Sequence, residues 1–93
     1  MVSINDIKNA AENVMKLYPI KSMSLFGSYA NGTANKNSDV DILVEIDKEL
    51  PSLIDIGFIQ YQMQKYLNTK VDVLPLPLKE GTRFKINRMV KLI

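Results

Sequence analysis

The sequence predicts a single α/β (α+β) domain in which helices pack on one small sheet. Apolar residues recur at three- and four-residue steps in two segments, 3–18 and 51–67, which is typical of amphipathic helices. They alternate with polar residues in three short segments, 22–27, 39–46 and 70–74, as in half-buried strands. The order of these segments predicts a mixed sheet of about three strands flanked by helices, within one domain spanning residues 1–93.

The composition is that of an ordinary globular protein and excludes several kinds of site. Hydrophobic residues make up 46% of the 93 residues and charged residues 24%, and the net charge of +2 is too small to indicate nucleic-acid binding. Because the sequence contains neither Cys nor His, it cannot form disulfides, Cys/His zinc sites or Ser-His-Asp triads. No segment has the pattern of a membrane span or a signal peptide, so we expect a cytoplasmic protein that does not enter a membrane.

The first predicted helix begins at a capping box and ends at a proline. Ser3 and Asp6 have the spacing at which each side chain caps the backbone N–H of the other. Pro19 cannot continue the helix. The apolar stripe between them is predicted to face the core and consists of Ile4, Ile7, Ala11, Val14 and Tyr18.

The strand over residues 22–27 leads into a Gly-Ser turn that could bind an anion. Gly27 permits a tight turn and close approach of another group to the backbone. Ser28 offers a hydroxyl and a backbone N–H where the first N–H groups of a helical turn are unpaired. Asn31 and Gly32 can end this single turn of helix. We therefore interpret the turn as a candidate phosphate site.

After a polar loop that ends at Ser38, the second strand carries two aspartates on one face. Asp39 and Asp41 are two residues apart in an alternating segment, so their carboxylates should lie about 6–7 Å apart. Two like charges at that spacing repel each other unless a cation lies between them. With oxygen ligands alone, the favoured cation is Mg²⁺, with Mn²⁺ as the alternative.

A second long helix and a third strand follow. The helix should begin near Pro51 and end at Leu67, with Ile56, Ile59, Met63 and Tyr66 on its buried stripe. Ile54 and Phe58 lie off that stripe and could mark a contact surface. In the strand over residues 70–74, Asp72 points away from the two flanking valines. If this strand pairs with the second, Asp72 joins Asp39 and Asp41 on one face.

The remaining residues, 78–93, predict a basic amphipathic helix. Its cationic side chains are Lys79, Arg83, Lys85, Arg88 and Lys91. No aromatic residues alternate with these charges, so we interpret the segment as a solvated face or a protein-partner surface rather than a nucleic-acid site.

The Gly27-Ser28 pair, ten further residues and then Asp39-Val40-Asp41 resemble the signature of the DNA polymerase β-like nucleotidyltransferase superfamily. The small size and the wider pattern resemble the minimal nucleotidyltransferase (MNT) domains, which are usually encoded beside a HEPN-domain protein. The resemblance implies a nucleotidyltransferase fold in which Asp39 and Asp41 bind Mg²⁺ and the triphosphate. It implies that Asp72 is a third metal ligand that helps to deprotonate the acceptor.

The same resemblance implies which residues contact the nucleotide and what the protein does. Gly27 and Ser28 would contact the β- and γ-phosphates, and Asn31 and Ser38 occupy further nucleotide-binding positions. The implied function is that of an antitoxin that forms a hetero-oligomer with a HEPN toxin. It would transfer AMP from ATP to a tyrosine of that toxin and release pyrophosphate.

Two alternatives stay open at the level of sequence. Many members of the family have Arg where this chain has Asn31, and a neutral amide supplies no fixed charge to phosphates. A non-catalytic antitoxin that blocks its partner by binding is therefore one alternative. A small-molecule transferase resembling the aminoglycoside nucleotidyltransferases is the other, although 93 residues favour an acceptor that brings its own docking surface.

Overall fold

A computed structural model describes residues 2–76 and 89–93 of the chain. Its sheet is mixed and four-stranded, with the strand order β3-β2-β1-β4. This confirms the predicted fold class and adds one strand to the predicted sheet. The elements are α1 (Ile4–Met15), β1 (Ile20–Phe26), α2 (Gly27–Asn31), β2 (Val40–Ile46), α3 (Leu53–Leu67), β3 (Val71–Pro75) and β4 (Val90–Lys91).

The additional strand, β4, corrects the prediction of a C-terminal helix where the structure can test it. Val90 and Lys91 pair antiparallel with β1, and the backbone N–H of Leu92 donates to the carbonyl of Met23 at 2.9 Å. The helix prediction is wrong here because a short alternating segment beside a free strand edge gains ladder hydrogen bonds. The rest of the predicted basic helix, including Lys79, Arg83, Lys85 and Arg88, lies outside the described residues.

The two long helices cover one face of the sheet and form the core with it. Alternate strand residues point to this face, whereas the residues between them point to the opposite face, on which Phe26, Asp41 and Asp72 lie. The core-facing residues from the strands include Met23, Leu25, Ile42, Val44, Val71 and Val73, and those from the helices include Ile7, Ala11, Val14, Ile59 and Met63. Phe26 and Leu43 on the opposite face are also buried, whereas Asp41 and Asp72 beside them are only half-buried and remain accessible for a site.

Both long helices begin at a capping box. The predicted pair is confirmed, since Ser3 and Asp6 cap each other at the start of α1. A second box, between Ser52 and Asp55, starts α3. Asp55 is 3% exposed and also pairs with Lys48 at 3.1 Å, so its buried charge is compensated. These contacts fix where α3 leaves the loop after β2.

The predicted helix stripes are right in their centres and wrong at their ends. Tyr66 is 49% exposed, and Leu67 is buried in its place because the buried stripe continues in four-residue steps from Ile59 through Met63. Helix α1 ends at Met15, so Tyr18 packs on the core from the following turn, with its ring 5.0 Å from that of Phe58. Phe58 is thus partly covered, whereas Ile54 remains 82% exposed.

No helix within residues 2–76 and 89–93 combines the length and the apolar character needed to cross a bilayer.

Candidate functional site

The site is built on the parallel pairing of β2 and β3. In the register of this pair, Asp41 lies directly opposite Asp72, so both carboxylates project from the same face. Neighbouring strands are about 4.8 Å apart, which is close for two negative charges. On the other side of Asp41, antiparallel pairing sets Phe26 opposite it at the end of β1. The structure therefore brings together two of the three aspartates predicted from the sequence.

Gly27 holds the turn after β1 tightly against Asp41. Its φ of 73° lies in the left-handed region, which a residue without a side chain adopts readily. A Cβ added to Gly27 would overlap a carboxylate oxygen of Asp41 and lie 3.2 Å from its Cγ. Only glycine allows the start of α2 to approach the carboxylate this closely.

A groove of about 520 Å³ runs along these residues. Its lining combines the two carboxylates with an apolar wall and one amide, and consists of Phe26, Gly27, Asp41, Gln60, Asp72, Val73 and Leu74. Acidic groups at the centre and apolar groups beside them suit a ligand with a polar or charged part and an uncharged part.

Asp39 lies one residue before β2 and is engaged by a lysine. Its carboxylate is 3.5 Å from Nζ of Lys70, the residue that precedes β3. In this arrangement, no group of three or more acidic side chains in the described part of the chain is close enough to hold a metal ion. Asp39 is half-buried beside the Asp41–Asp72 pair, and Lys70 balances its charge.

The pKa of Asp41 is raised because its carboxylate is partly buried near other carboxylates. Burial raises the pKa of Asp41, the negative charges of Asp72 and Asp39 raise it further, and the ammonium of Lys70 offsets part of this effect. Ionised Asp41 is therefore disfavoured here relative to the same group in water. A group that is destabilised by its neighbours in this way favours binding of a cation.

The donor set suits a hard divalent cation. Asp41 and Asp72 supply carboxylate oxygens toward one groove, and within residues 2–76 and 89–93 neither forms an ion pair. Carboxylate oxygens are the ligands that Mg²⁺ and Mn²⁺ prefer. A divalent cation would therefore bind mainly to Asp41 and Asp72, and Asp39 lies next to them.

The other sequence-predicted site residues lie around the α2 turn and the loop after it. Ser28 is half-buried at the start of α2, and its carbonyl accepts from the backbone N–H of Thr33 at 2.9 Å. Asn31 ends α2 and is exposed. The Oγ of Ser38 accepts from the backbone N–H of Asn35 at 2.9 Å, so Ser38 shapes the loop that leads to Asp39.

Two glutamines of α3 that sequence reasoning missed complete the edge of the site. Oε1 of Gln60 accepts from the backbone N–H of Val73 at 3.2 Å, and Oε1 of Gln64 accepts from that of Val71 at 3.1 Å. The available signal was their four-residue spacing, which sets both amides on one flank of the helix. This spacing does not show which strand that flank of the helix packs against.

Gly27→Ala should destabilise the protein more than Gly32→Ala does. Both glycines have left-handed backbones, so alanine costs about 1–2 kcal/mol of unfolding free energy at either position. Space around Gly32 is open, whereas the new methyl group at Gly27 meets Asp41 and should cost a further ~1–3 kcal/mol. Urea denaturation of the two variants measures the difference, and equal losses would contradict the close contact.

Asp41→Asn should stabilise the metal-free protein at neutral pH by a few degrees in Tm. Because the folded-state pKa of Asp41 is raised, its ionisation disfavours the native state once the pH exceeds the unfolded-state pKa of about 3.9. Below that pH both states hold the proton, and the two proteins should converge. Solvent screening keeps the effect modest.

Thermal denaturation of the parent and the Asp41→Asn variant in EDTA, at about pH 7 and pH 3.5, measures how the difference in Tm depends on pH. Asp47→Asn is the matched control, because Asp47 directly follows β2 and is exposed. A gain in Tm of the same size in the control, or a gain that persists at the lower pH, would show that the carboxylates at the site do not repel each other.

Comparison with known proteins places the chain in a family. A model of a nucleotidyltransferase domain matches residues 7–93. A Methanocaldococcus jannaschii protein, provisionally named a protein adenylyltransferase, is 38% identical over 73 residues, which are 78% of this chain and 77% of that protein. The protein adenylyltransferase MntA of Thermococcus cleftensis is 35% identical over 74 residues, which are 78% of this chain and 74% of that protein.

Solved structures share the fold. A crystal structure of a toxin–antitoxin with AMP-PNP has a TM-score of 0.70 at 22% identity and covers 92% of this chain and 72% of that chain. The structure of the tri-AMPylated Shewanella oneidensis HEPN toxin in complex with MNT antitoxin has a TM-score of 0.57 at 18% identity. The match covers 94% of this chain and 71% of that chain. Since the family model spans most of the sequence, and both relatives match over more than two thirds of their length, this chain belongs to the nucleotidyltransferase domain family.

Proposed function

We propose that this protein is a cytoplasmic Mg²⁺-dependent antitoxin that transfers AMP from ATP to a tyrosine hydroxyl of a HEPN-domain toxin, with which it forms a complex. The observation that carries the proposal is the Asp41–Asp72 pair in a groove beside the close turn at Gly27. The names of the relatives, protein adenylyltransferases, agree with this chemistry. The fold neighbours that contain AMP-PNP or an AMPylated HEPN toxin agree with the donor and the acceptor.

In this proposal, the start of α2 and the nearby aspartates together bind the triphosphate. Gly27 and Ser28 contact the β- and γ-phosphates at the start of α2, where no side chain of the N-cap residue caps the first backbone N–H groups. Asp41 and Asp72 would hold Mg²⁺, or Mn²⁺ in its place, and Asp39 would join them by exchanging its ion pair with Lys70 for the cation. When bound, the cation supplies positive charge that neutralises the phosphates and acidifies the acceptor hydroxyl.

The transfer itself is a displacement at the α-phosphorus. The acceptor oxygen forms a bond to this phosphorus while the bond to the bridging oxygen of the β-phosphate breaks, and pyrophosphate leaves with that electron pair. The proton of the acceptor hydroxyl passes to a carboxylate oxygen of Asp72. The protein mainly orients the reacting groups and balances their charge, which a groove on a rigid sheet can do.

Asn31 keeps one second candidate open, an antitoxin that binds its partner without transfer. This residue is exposed at the end of α2 and offers a neutral amide where a fixed cation would stabilise the phosphates. The decisive experiment is incubation of the protein with α-labelled ATP, Mg²⁺ and the protein encoded by the neighbouring gene. Label on that protein supports transfer, and a stable complex without label supports blocking by binding alone.

Asp41→Ala and Asp72→Ala should each lower the transfer rate at least about a hundredfold while the domain stays folded. Either change removes a carboxylate from the groove and, in the metal-free protein, also removes repulsion. Radiolabel transfer and circular dichroism measure the two effects. Asp47→Ala serves as the exposed acidic control, and transfer at the parental rate by the Asp41 or Asp72 variant would refute the assignment.

Asn31→Arg should raise the transfer rate, because the guanidinium adds a fork of donors and a fixed charge near the phosphates. Steady-state kinetics with ATP as the varied substrate measure the gain. The matched variant is Asn37→Arg, in the exposed loop after α2, which adds the same charge away from the helical turn. An equal gain in both variants would point to a general charge effect instead of a role for position 31.

A further inference from the structure

Gln60 differs from its neighbour Gln64 in one respect that matters for the site. Both side chains accept a hydrogen bond from a backbone N–H at the outer edge of β3, one helical turn apart. Only Gln60 also lines the groove, beside Asp41 and Asp72. The two glutamines therefore share one structural role, and Gln60 has an additional position in the site.

The hydrogen bond to Val73 determines how the amide of Gln60 is oriented. A backbone N–H can be accepted only by the amide oxygen, so Nε2 occupies the other branch of the amide. Within the described residues, neither hydrogen of Nε2 takes part in a hydrogen bond. A half-buried side chain held by its oxygen thus keeps two donors available at the groove.

The order of the elements sets Gln60 at the opposite end of the site from the Gly-Ser turn. Gly27 follows β1, Asp41 lies in β2, Asp72 lies in β3, and Gln60 reaches the far edge of β3 from α3. Because the proposed function has Asp72 take the proton of the acceptor hydroxyl, it puts that hydroxyl at Asp72, which lines the groove together with Gln60. The amide donor of Gln60 is therefore nearer to the acceptor protein than to the triphosphate.

We propose that Gln60 is a specificity-determining residue for the acceptor. Its Oε1 is anchored on the backbone of Val73, and its Nε2 donates a hydrogen bond to an oxygen of the acceptor protein next to the reacting hydroxyl. This inference rests on the proposed function and extends it from the reaction to the choice of substrate. The anchor limits the positions of Nε2, so the donor is preorganised for one acceptor geometry.

The test compares Gln60→Met with Gln64→Met in the transfer assay. Methionine keeps the length of the side chain and removes both the oxygen and the nitrogen of the amide, so each variant loses one edge hydrogen bond. Gln60→Met should raise KM for the HEPN-domain protein about tenfold and leave KM for ATP within roughly twofold. Gln64→Met should change neither constant by more than roughly twofold.

A second pair of variants separates the edge hydrogen bond from the donor. Gln60→Glu keeps an oxygen for the N–H of Val73 but loses Nε2, and Gln64→Glu adds the same charge one turn away. The acceptor KM should rise only for the Gln60 variant.

Three results would overturn the inference. These are equal rises in acceptor KM for the Gln60 and Gln64 variants, a rise in KM for ATP in place of that for the acceptor, and unchanged kinetics of Gln60→Met. Absence of transfer by the parent protein would instead defeat the proposed function, and this inference with it.

Discussion

The parallel pairing of β2 with β3 is the constraint on which the site depends. It sets Asp41 opposite Asp72 on the face of the sheet away from the two long helices, while Val40, Ile42, Val71 and Val73 are buried on the other face. Because strand side chains alternate, a shift of one residue would bury the carboxylates and expose the valines. The hydrophobic core therefore enforces the same register that brings the acidic groups together.

The other parts of the site adjust to this acidic pair. Glycine is required at position 27 because the turn after β1 approaches the carboxylate of Asp41 so closely that a methyl group would overlap it. Lys70 engages Asp39 and so balances part of the negative charge at the same end of the sheet. The residue at position 27 and the position of the Lys70 ammonium therefore both depend on the carboxylates that β2 and β3 bring together.

Helix α3 links the core to the site across the edge of the sheet. Its buried residues pack on Val71 and Val73, and its flank supplies the two glutamines that accept from the outer N–H groups of β3. An edge strand with unpaired N–H groups is a liability for aggregation, and these side chains satisfy two of them. The helix therefore stabilises β3, which carries Asp72, and presents the amide of Gln60 to the groove.

The sequence alone determined the fold class, the order and approximate bounds of the main elements, and the candidate chemistry. Alternation marked the strands, and the spacing from Gly27-Ser28 to the Asp39-Asp41 pair indicated a nucleotide site, because these are local patterns. Only the tertiary structure decided the pairing of Asp41 with Asp72, the ion pair between Asp39 and Lys70, and the position of Gln60. It also assigned Val90 and Lys91 to a strand. These features depend on which elements become neighbours in the fold. Residue patterns along the chain do not show how close two segments lie in space when they are far apart in sequence.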